Sequence, residues 1–213
     1  PHDSRERFES LGCEVVTGQA CFTTPSQVEV DGKSFDAKRF VIATGSTAYV
    51  PPVAGLAQAD YFTSEDMFSL PALPASMIIL GGGPVGVEIA QAYSRLGTKV
   101  SIVELAPRLL PQMDEDASRM LADVLSAEGV SVYVNSEVVE VAEQARVKLV
   151  SLKDGSSLQA EALLVAVGRR PAMDSLGLER ANVSYDAQGV KVNKKMQTTN
   201  KRVFACGDVT GKM

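Results

Sequence analysis

The chain has 213 residues, enough for one large or two small domains with real cores. Its 45% hydrophobic and 22% charged residues are ordinary for a globular protein, and a net charge of -5 with scattered Lys and Arg argues against a nucleic-acid or anionic-membrane surface. No apolar run approaches the roughly 18 residues of a membrane span and the first residues lack a signal-peptide core, so a cytoplasmic protein is expected.

The one histidine, His2, stands at the terminus, which leaves no histidine metal site and no Ser-His-Asp triad to expect. Residues 3–11 read as a helix with Phe8 and Leu11 on one side and Gly12 as its stop. Short strands follow at 14–16, 20–23, 27–30 and 34–35, with Asp31-Gly32 as a hairpin turn. Cys13 and Cys21 lie among Val15, Val16 and Phe22, where a small buried thiol is the usual state, and with Cys206 they form no CxxC or CxxxxC spacing. Phe40 through Ser46 reads as a fully buried strand. From Pro51-Pro52 to Pro74 the sequence reads as a linker, with a short helix over 64–70 capped by Thr63 or Ser64.

Met77-Ile78-Ile79-Leu80 then runs straight into Gly81-Gly82-Gly83-Pro84-Val85-Gly86, a G-x-G-x-x-G spacing, and Val87 to Leu96 read as a helix. In such a strand-turn-helix the first glycine permits the bend, the second lets backbone approach a pyrophosphate, and the third allows close helix-to-strand packing. The helix N–H groups and dipole favour the anion. A second strand at 99–103 ends at Glu104, 18 residues after Gly86, close to the spacing of about 20 at which an acidic ribose ligand follows the fingerprint. A carboxylate there accepts both ribose hydroxyls of NAD and repels the 2′-phosphate of NADP, so NAD is the expected cofactor. Arg108 has no basic neighbour in Leu105, Ala106 or Pro107 and reads as an adenine or surface contact. The plainer alternative is a bare strand-to-helix connection with a solvated strand end at Glu104.

Residues 114–128 read as a helix ended by Gly129, whose opening Asp114-Glu115-Asp116 complements the dipole more simply than it binds metal; no metal site is expected. Residues 130–134 form a third parallel strand candidate. Residues 137–141, 147–152 and 157–160 read as an antiparallel meander, with a turn at Asp154-Gly155, and 162–168 as another buried strand. After Arg169-Arg170-Pro171 come a strand at 190–192, a loop through Thr198 and Thr199, and the segment 202–208. The fold class is α/β: a Rossmann-like unit over 49–170 with a parallel sheet and a meander, and separate flanks at 1–48 and 171–213.

Three motifs stand in one order: Ala43-Thr44-Gly45, the fingerprint ending in Gly86-Val87-Glu88, and Thr199 through Gly207-Asp208. Together they resemble the pyridine nucleotide-disulfide oxidoreductases, FAD/NAD flavoproteins that include dihydrolipoamide dehydrogenase, mercuric reductase and glutathione reductase. Leu176-Gly177-Leu178 after Gly168-Arg169-Arg170-Pro171 is similar to the dihydrolipoamide dehydrogenase branch. The resemblance implies that Gly81, Gly83 and Gly86, with Pro84 and Val85 between them, hold the NAD pyrophosphate, that Glu104 takes the adenosine ribose, and that Gly168 lies beside the nicotinamide half. It also implies Glu88 near flavin and nicotinamide, Thr44 and Gly45 close to FAD, and Gly207-Asp208 at the flavin, with Asp208 accepting from a ribityl hydroxyl. Pro84 stands where some relatives carry an aromatic gate, so no gating role transfers. By its position alone Glu88 is a first-turn helix carboxylate, and Asp208 equally suits capping a following helix.

The family normally opens with an FAD fingerprint and a CxxxxC redox pair and ends with a dimerisation domain bearing a His-Glu pair, none of which stands in this sequence. The expectation is an internal fragment, with partial FAD-binding segments at 1–48 and 171–213 around an NAD-binding domain at 49–170. Its parent is expected to be a homodimer through an absent C-terminal domain, passing hydride between NAD(H) and FAD and exchanging electrons with a small-molecule or dithiol/disulfide substrate. No catalytic residue is assigned and no turnover by this chain alone is expected. The alternatives are a flavoprotein without the cysteine pair, of NADH oxidase or ferredoxin reductase type, and a non-catalytic NAD-binding module.

Overall fold

A computed structural model describes residues 4–211, and the chain divides into two compact units: one from the chain up to Thr47 together with the chain from Arg170 onward, the other Ala48–Arg169. In the first unit, α1 (Arg5–Ser10) begins where the Ser4 hydroxyl accepts the Arg7 amide, and it buries no residue. Residue 3, where the sequence starts this helix, lies outside the described residues. Strands β1 (Ala20–Thr24), β2 (Gln27–Val30) and β3 (Lys33–Asp36) form an antiparallel meander. Asp31 and Gly32 join β2 to β3 with φ of 47° and 84°, the two positive angles that a tight hairpin needs to match strand twist.

Residues 14–16 do not form the expected strand; no strand of the described residues pairs with them, and Glu14 and Val16 are exposed. Cys13 and Cys206 are exposed and Cys21 is half-buried, so the burial expected of Cys13 and Cys21 fails, Cys13 because it follows a helix end and not a strand. The single strand expected over 40–46 splits into β4 (Phe40–Ile42) and β5 (Ser46–Ala48), with Gly45 turning the chain at φ 68°. Only one face of β4 is covered in this unit: Ile42 is buried while Val41 is 65% exposed.

In the second unit the helix expected over 64–70 shrinks to a short 3-10 turn, Met67–Ser69, because Pro71 follows Leu70 and holds it extended. Then come β6 (Ser76–Leu80), α2 (Pro84–Arg95), β7 (Lys99–Val103), α3 (Glu115–Ala127) and β8 (Ser131–Tyr133). The meander β9 (Val138–Gln144), β10 (Val147–Leu152) and β11 (Ser157–Ala160) follows, and β12 (Ala162–Val165) returns to the sheet. The parallel sheet runs in the order β12-β6-β7-β8. Its strands are apolar on both faces because both are covered. Met77, Ile79, Val100, Ile102, Ala162 and Leu164 pack with α2 and α3 in one cluster, whereas Ile78, Leu80, Val103, Leu163 and Val165 pack with Val141, Val150 and Leu152 of the meander in another. Alternate residues of one strand thus enter opposite layers, as the two-residue period of a strand requires.

The N-cap of α3 is Asp114, whose side chain accepts the Asp116 amide, so the acidic triplet serves the helix start. Among the described residues no cluster could hold a metal ion, and no helix is long and apolar enough to cross a membrane.

Back in the first unit, β13 (Arg169–Pro171) leads to the hairpin β14 (Tyr185–Asp186) and β15 (Gly189–Val190), and then to β16 (Val203–Ala205). The strand expected over 190–192 is therefore shorter and begins one residue earlier. The core here joins Phe22 and Ile42 to Leu176, Leu178, Val203, Ala205 and Val209. Gly177, at φ 65°, sits where an added Cβ would lie 2.6 Å from the Phe22 carbonyl oxygen, so Leu176-Gly177-Leu178 is a close-approach turn against β1.

Candidate functional site

The strand order of the parallel sheet reverses between β6 and β12: the chain steps from β6 outward to β8, then comes back on the other side of β6. In open α/β sheets such a switch point leaves a crevice beyond the carboxyl ends of the strands, where ligands bind. Gly81 follows β6 and Gly168 follows shortly after β12, so both sequence-derived glycines stand beyond the carboxyl ends of the two strands that flank the switch point. The fit is tight at its floor: Gly81 has φ 106°, and a Cβ there would lie 2.4 Å from the Ala166 carbonyl oxygen. Gly168 has φ 138° with open space where a side chain would be, and its carbonyl accepts the Tyr49 amide at 3.0 Å.

The three fingerprint glycines do three different things. Gly81 makes the bend. Gly86, buried in the first turn of α2, would place a Cβ 2.0 Å from the Gly81 carbonyl oxygen, so only glycine lets the helix approach the strand. Gly83 is the N-cap of α2, in extended geometry with no side-chain cap, and a Cβ there meets nothing within 4 Å. Above Gly83 there is room, and the helix N-terminus faces it with its dipole. Pro84 occupies the first helical position, where its missing N–H costs nothing. Because Pro84 presets helical φ, α2 begins three residues before the expected Val87. This shift corrects one assignment: Glu88 lies in the second turn, exposed, and is not a first-turn carboxylate. Val85 is half-buried against the helix-side core.

Glu104, at the end of β7, is half-buried and has both carboxylate oxygens engaged: Oε2 accepts the Gly82 amide at 2.6 Å and Oε1 accepts the Ala106 amide at 2.7 Å. The Gly82 carbonyl in turn accepts the Leu110 amide at 2.9 Å, and a Cβ at Gly82 would lie 2.5 Å from a methyl group of buried Leu109. The middle glycine is therefore bonded from both its polar groups to the loop after β7. A carboxylate fixed in this way keeps lone pairs for two further donors. Arg108 points elsewhere. Its guanidinium donates to the Pro111 carbonyl at 2.9 Å, and its buried Nε has no hydrogen-bond partner among the described residues.

In the first unit, β4 and β16 pair in parallel from Phe40↔Val203 to Ile42↔Ala205, and the Cys206 amide extends the pairing to the Ile42 carbonyl at 3.0 Å. The segments leaving their carboxyl ends hold the remaining sequence-derived residues. Thr44 donates its hydroxyl to the Ala172 carbonyl at 2.7 Å, and the Gly45 carbonyl accepts the Ala172 amide at 3.0 Å. Gly207 turns the chain at φ 74°, Asp208 follows in a 3-10 turn, and space is open at both Gly45 and Gly207. Asp208 caps no helix: its carboxylate accepts the Ser46 hydroxyl at 2.7 Å.

Sequence reasoning did not single out Gly82, Ala106 or Leu110. The triple glycine was a signal for the first, whereas the others contribute only backbone, which carries no residue signature. Nor was Ser46 a candidate, since its partner is 162 residues away.

The chain is similar to known proteins over nearly all of its length. The family described as pyridine nucleotide-disulphide oxidoreductase matches residues 5–213. A dihydrolipoyl dehydrogenase of Bacillus subtilis (strain 168) is 36% identical over 205 residues, 93% of this chain and 44% of that protein. A mercuric reductase of Bacillus cereus is 32% identical over 207 residues, 95% of this chain and 33% of that protein. Among solved structures, the HOCl-induced flavoprotein disulfide reductase RclA from Escherichia coli superposes with a TM-score of 0.92 at 32% identity, covering 98% of this chain and 49% of that one. The chain thus spans between a third and a half of these relatives. It belongs to the pyridine nucleotide-disulphide oxidoreductase family, a family of FAD-binding flavoprotein oxidoreductases.

Proposed function

We propose that this member of the pyridine nucleotide-disulphide oxidoreductases is the nicotinamide-dinucleotide-binding portion of an FAD-dependent disulfide oxidoreductase, with Ala48–Arg169 as the NAD-binding unit. The observation that carries the reading is the bond from the Gly82 amide to Glu104. It joins the turn suited to a pyrophosphate to the carboxylate suited to a ribose, at the switch point of a parallel sheet.

The residues present fit such a ligand. The pyrophosphate would lie in the open space over Gly83, against the amides that begin α2. Glu104 would accept the adenosine ribose hydroxyls with lone pairs that its two backbone partners leave free. Gly168, on the other side of the switch point, offers bare backbone toward the nicotinamide half. NAD is favoured over NADP because Glu104 meets the ribose with negative charge, while Arg108 is committed to the Pro111 carbonyl. In the first unit, Gly45 and Gly207 leave room for part of an FAD, with Asp208 as acceptor for a flavin hydroxyl and Thr44 bracing the turn. When bound, the nicotinamide and flavin would supply the hydride chemistry, and the chain would contribute position and electrostatics. The proposed electron acceptor is a dithiol, a disulfide or a related species, in keeping with relatives named dihydrolipoyl dehydrogenase, mercuric reductase and glutathione reductase.

The test is calorimetric titration of the chain with NADH and NADPH. Saturable binding that prefers NADH supports the reading, and absence of binding by a folded chain rejects it.

A further inference from the structure

We propose that Ser46 is a positioning residue for the flavin, acting through Asp208; this rests on the reading of Asp208 as acceptor for a flavin hydroxyl. The two residues lie far apart in sequence and meet because β4 and β16 run side by side. Past Ile42 the chain turns at Gly45 and reaches Ser46; past Ala205 it turns at Gly207 and reaches Asp208. Both glycines hold positive φ, 68° and 74°, and neither has an atom within 4 Å of where a Cβ would stand, so the two turns border open space.

At this rim the half-buried Ser46 hydroxyl donates to Asp208 Oδ2 at 2.7 Å. Asp208 Oδ1 has no hydrogen-bond partner among the described residues. A carboxylate on a short turn rotates freely unless one oxygen is held. Holding Oδ2 fixes the plane of the group and presents Oδ1 as the remaining acceptor, as an outer hydrogen bond orients a ligating side chain in other binding sites. Thr210 braces the turn by donating its hydroxyl to the Gly207 carbonyl at 2.9 Å, so the residual freedom lies in the Asp208 side chain, which Ser46 removes. Ser46 therefore sets flavin affinity without contacting the flavin. A purely structural strap between two loops would instead lower stability and leave affinity alone.

The experiment uses the protein expressed from its whole gene. Apoprotein is titrated with FAD and followed by flavin fluorescence for the wild type, Ser46→Ala, Ser46→Thr, Asp208→Ala and the Ser46→Ala/Asp208→Ala double variant, with melting temperature measured alongside. Ser46→Ala is expected to weaken FAD binding about tenfold, the scale of a lost hydrogen bond to a charged group. Ser46→Thr keeps the hydroxyl and restores the affinity, and in the Asp208→Ala background Ser46→Ala has no further effect. If Asp208→Ala weakens FAD binding but Ser46→Ala does not, or if the two losses simply add, Ser46 does not act through Asp208. If Asp208→Ala leaves FAD affinity unchanged, the flavin reading of Asp208 itself falls, and the proposal with it.

Discussion

Glu104 Oε2 accepts the Gly82 amide at 2.6 Å, so the residue that ends β7 also fixes the turn that follows β6. The acidic residue and the glycines, usually treated as two separate marks of a dinucleotide site, form one piece here. With the Leu110 amide on the Gly82 carbonyl, the loop after β7 grips the middle glycine from both sides. Changes at Glu104 are therefore expected to disturb the turn as well as remove a ribose acceptor.

The glycines separate by role. Gly86→Ala would force a methyl group to 2.0 Å from the Gly81 carbonyl oxygen. It should destabilise the fold by about 1–3 kcal/mol as overpacking does, and lower NADH affinity with it. Gly83→Ala adds its methyl into open space at a φ of -73°, which alanine adopts freely. It should cost at most about 1 kcal/mol of stability, the scale of an N-cap change, and weaken NADH about tenfold or more, at least about 1.4 kcal/mol. Thermal unfolding alongside calorimetry checks the pair; equal effects of both variants on stability would contradict the division.

Arg108→Ala is expected to lower the melting temperature, because the Pro111 carbonyl loses its donor, while the ratio of NADH to NADPH affinity stays as it was. A selective loss of NADPH binding would show instead that the guanidinium reaches a 2′-phosphate.

Acid should weaken the second unit through Glu143. The Lys148 ammonium, 2.8 Å away and buried, together with the Asp60 amide, holds the Glu143 carboxyl below the usual carboxylate range. Its folded pKa is depressed relative to the unfolded chain. The stabilisation is present above the ordinary glutamate value of about 4.3 and is lost as pH falls through the folded value. Urea midpoints measured from pH 7 down to pH 3 should fall most steeply below about pH 4.3. Glu143→Gln should lower the neutral plateau, by leaving a buried ammonium without a counter-charge, and flatten that decline. An unchanged acid limb in the variant would remove Glu143 from the account.

The chain mixed with NADH and a small disulfide, without added flavin, should oxidise no NADH, since the nicotinamide hydride then has no flavin to accept it. Steady loss of NADH absorbance would overturn that expectation.

The parallel sheet, the meander and the glycine turn were legible in the sequence because each rests on a strong local pattern. Continuous apolar runs such as Met77 to Leu80 mark strands buried on both faces, and Asp154-Gly155 and Gly81 to Gly86 mark turns with few alternatives. What failed was local pattern without a partner. Val15-Val16 has strand character but no neighbouring strand, and the run from Phe40 to Ser46 breaks at Gly45. Pro84 suits a first helical position by its residue type alone, and the helix begins there and not at the expected Val87. The bonds from Glu104 to Gly82 and from Ser46 to Asp208 depend on strand order, which no short window of sequence contains.

The most direct measurement is titration calorimetry of the 213-residue chain with NADH and NADPH, for the wild type and for Glu104→Ala, with circular dichroism to verify folding. Saturable NADH binding, stronger than NADPH binding and weakened about tenfold or more by the substitution, is the expected result. A chain that is folded by circular dichroism but binds neither nucleotide, or binds NADH equally well without the Glu104 carboxylate, would contradict the account.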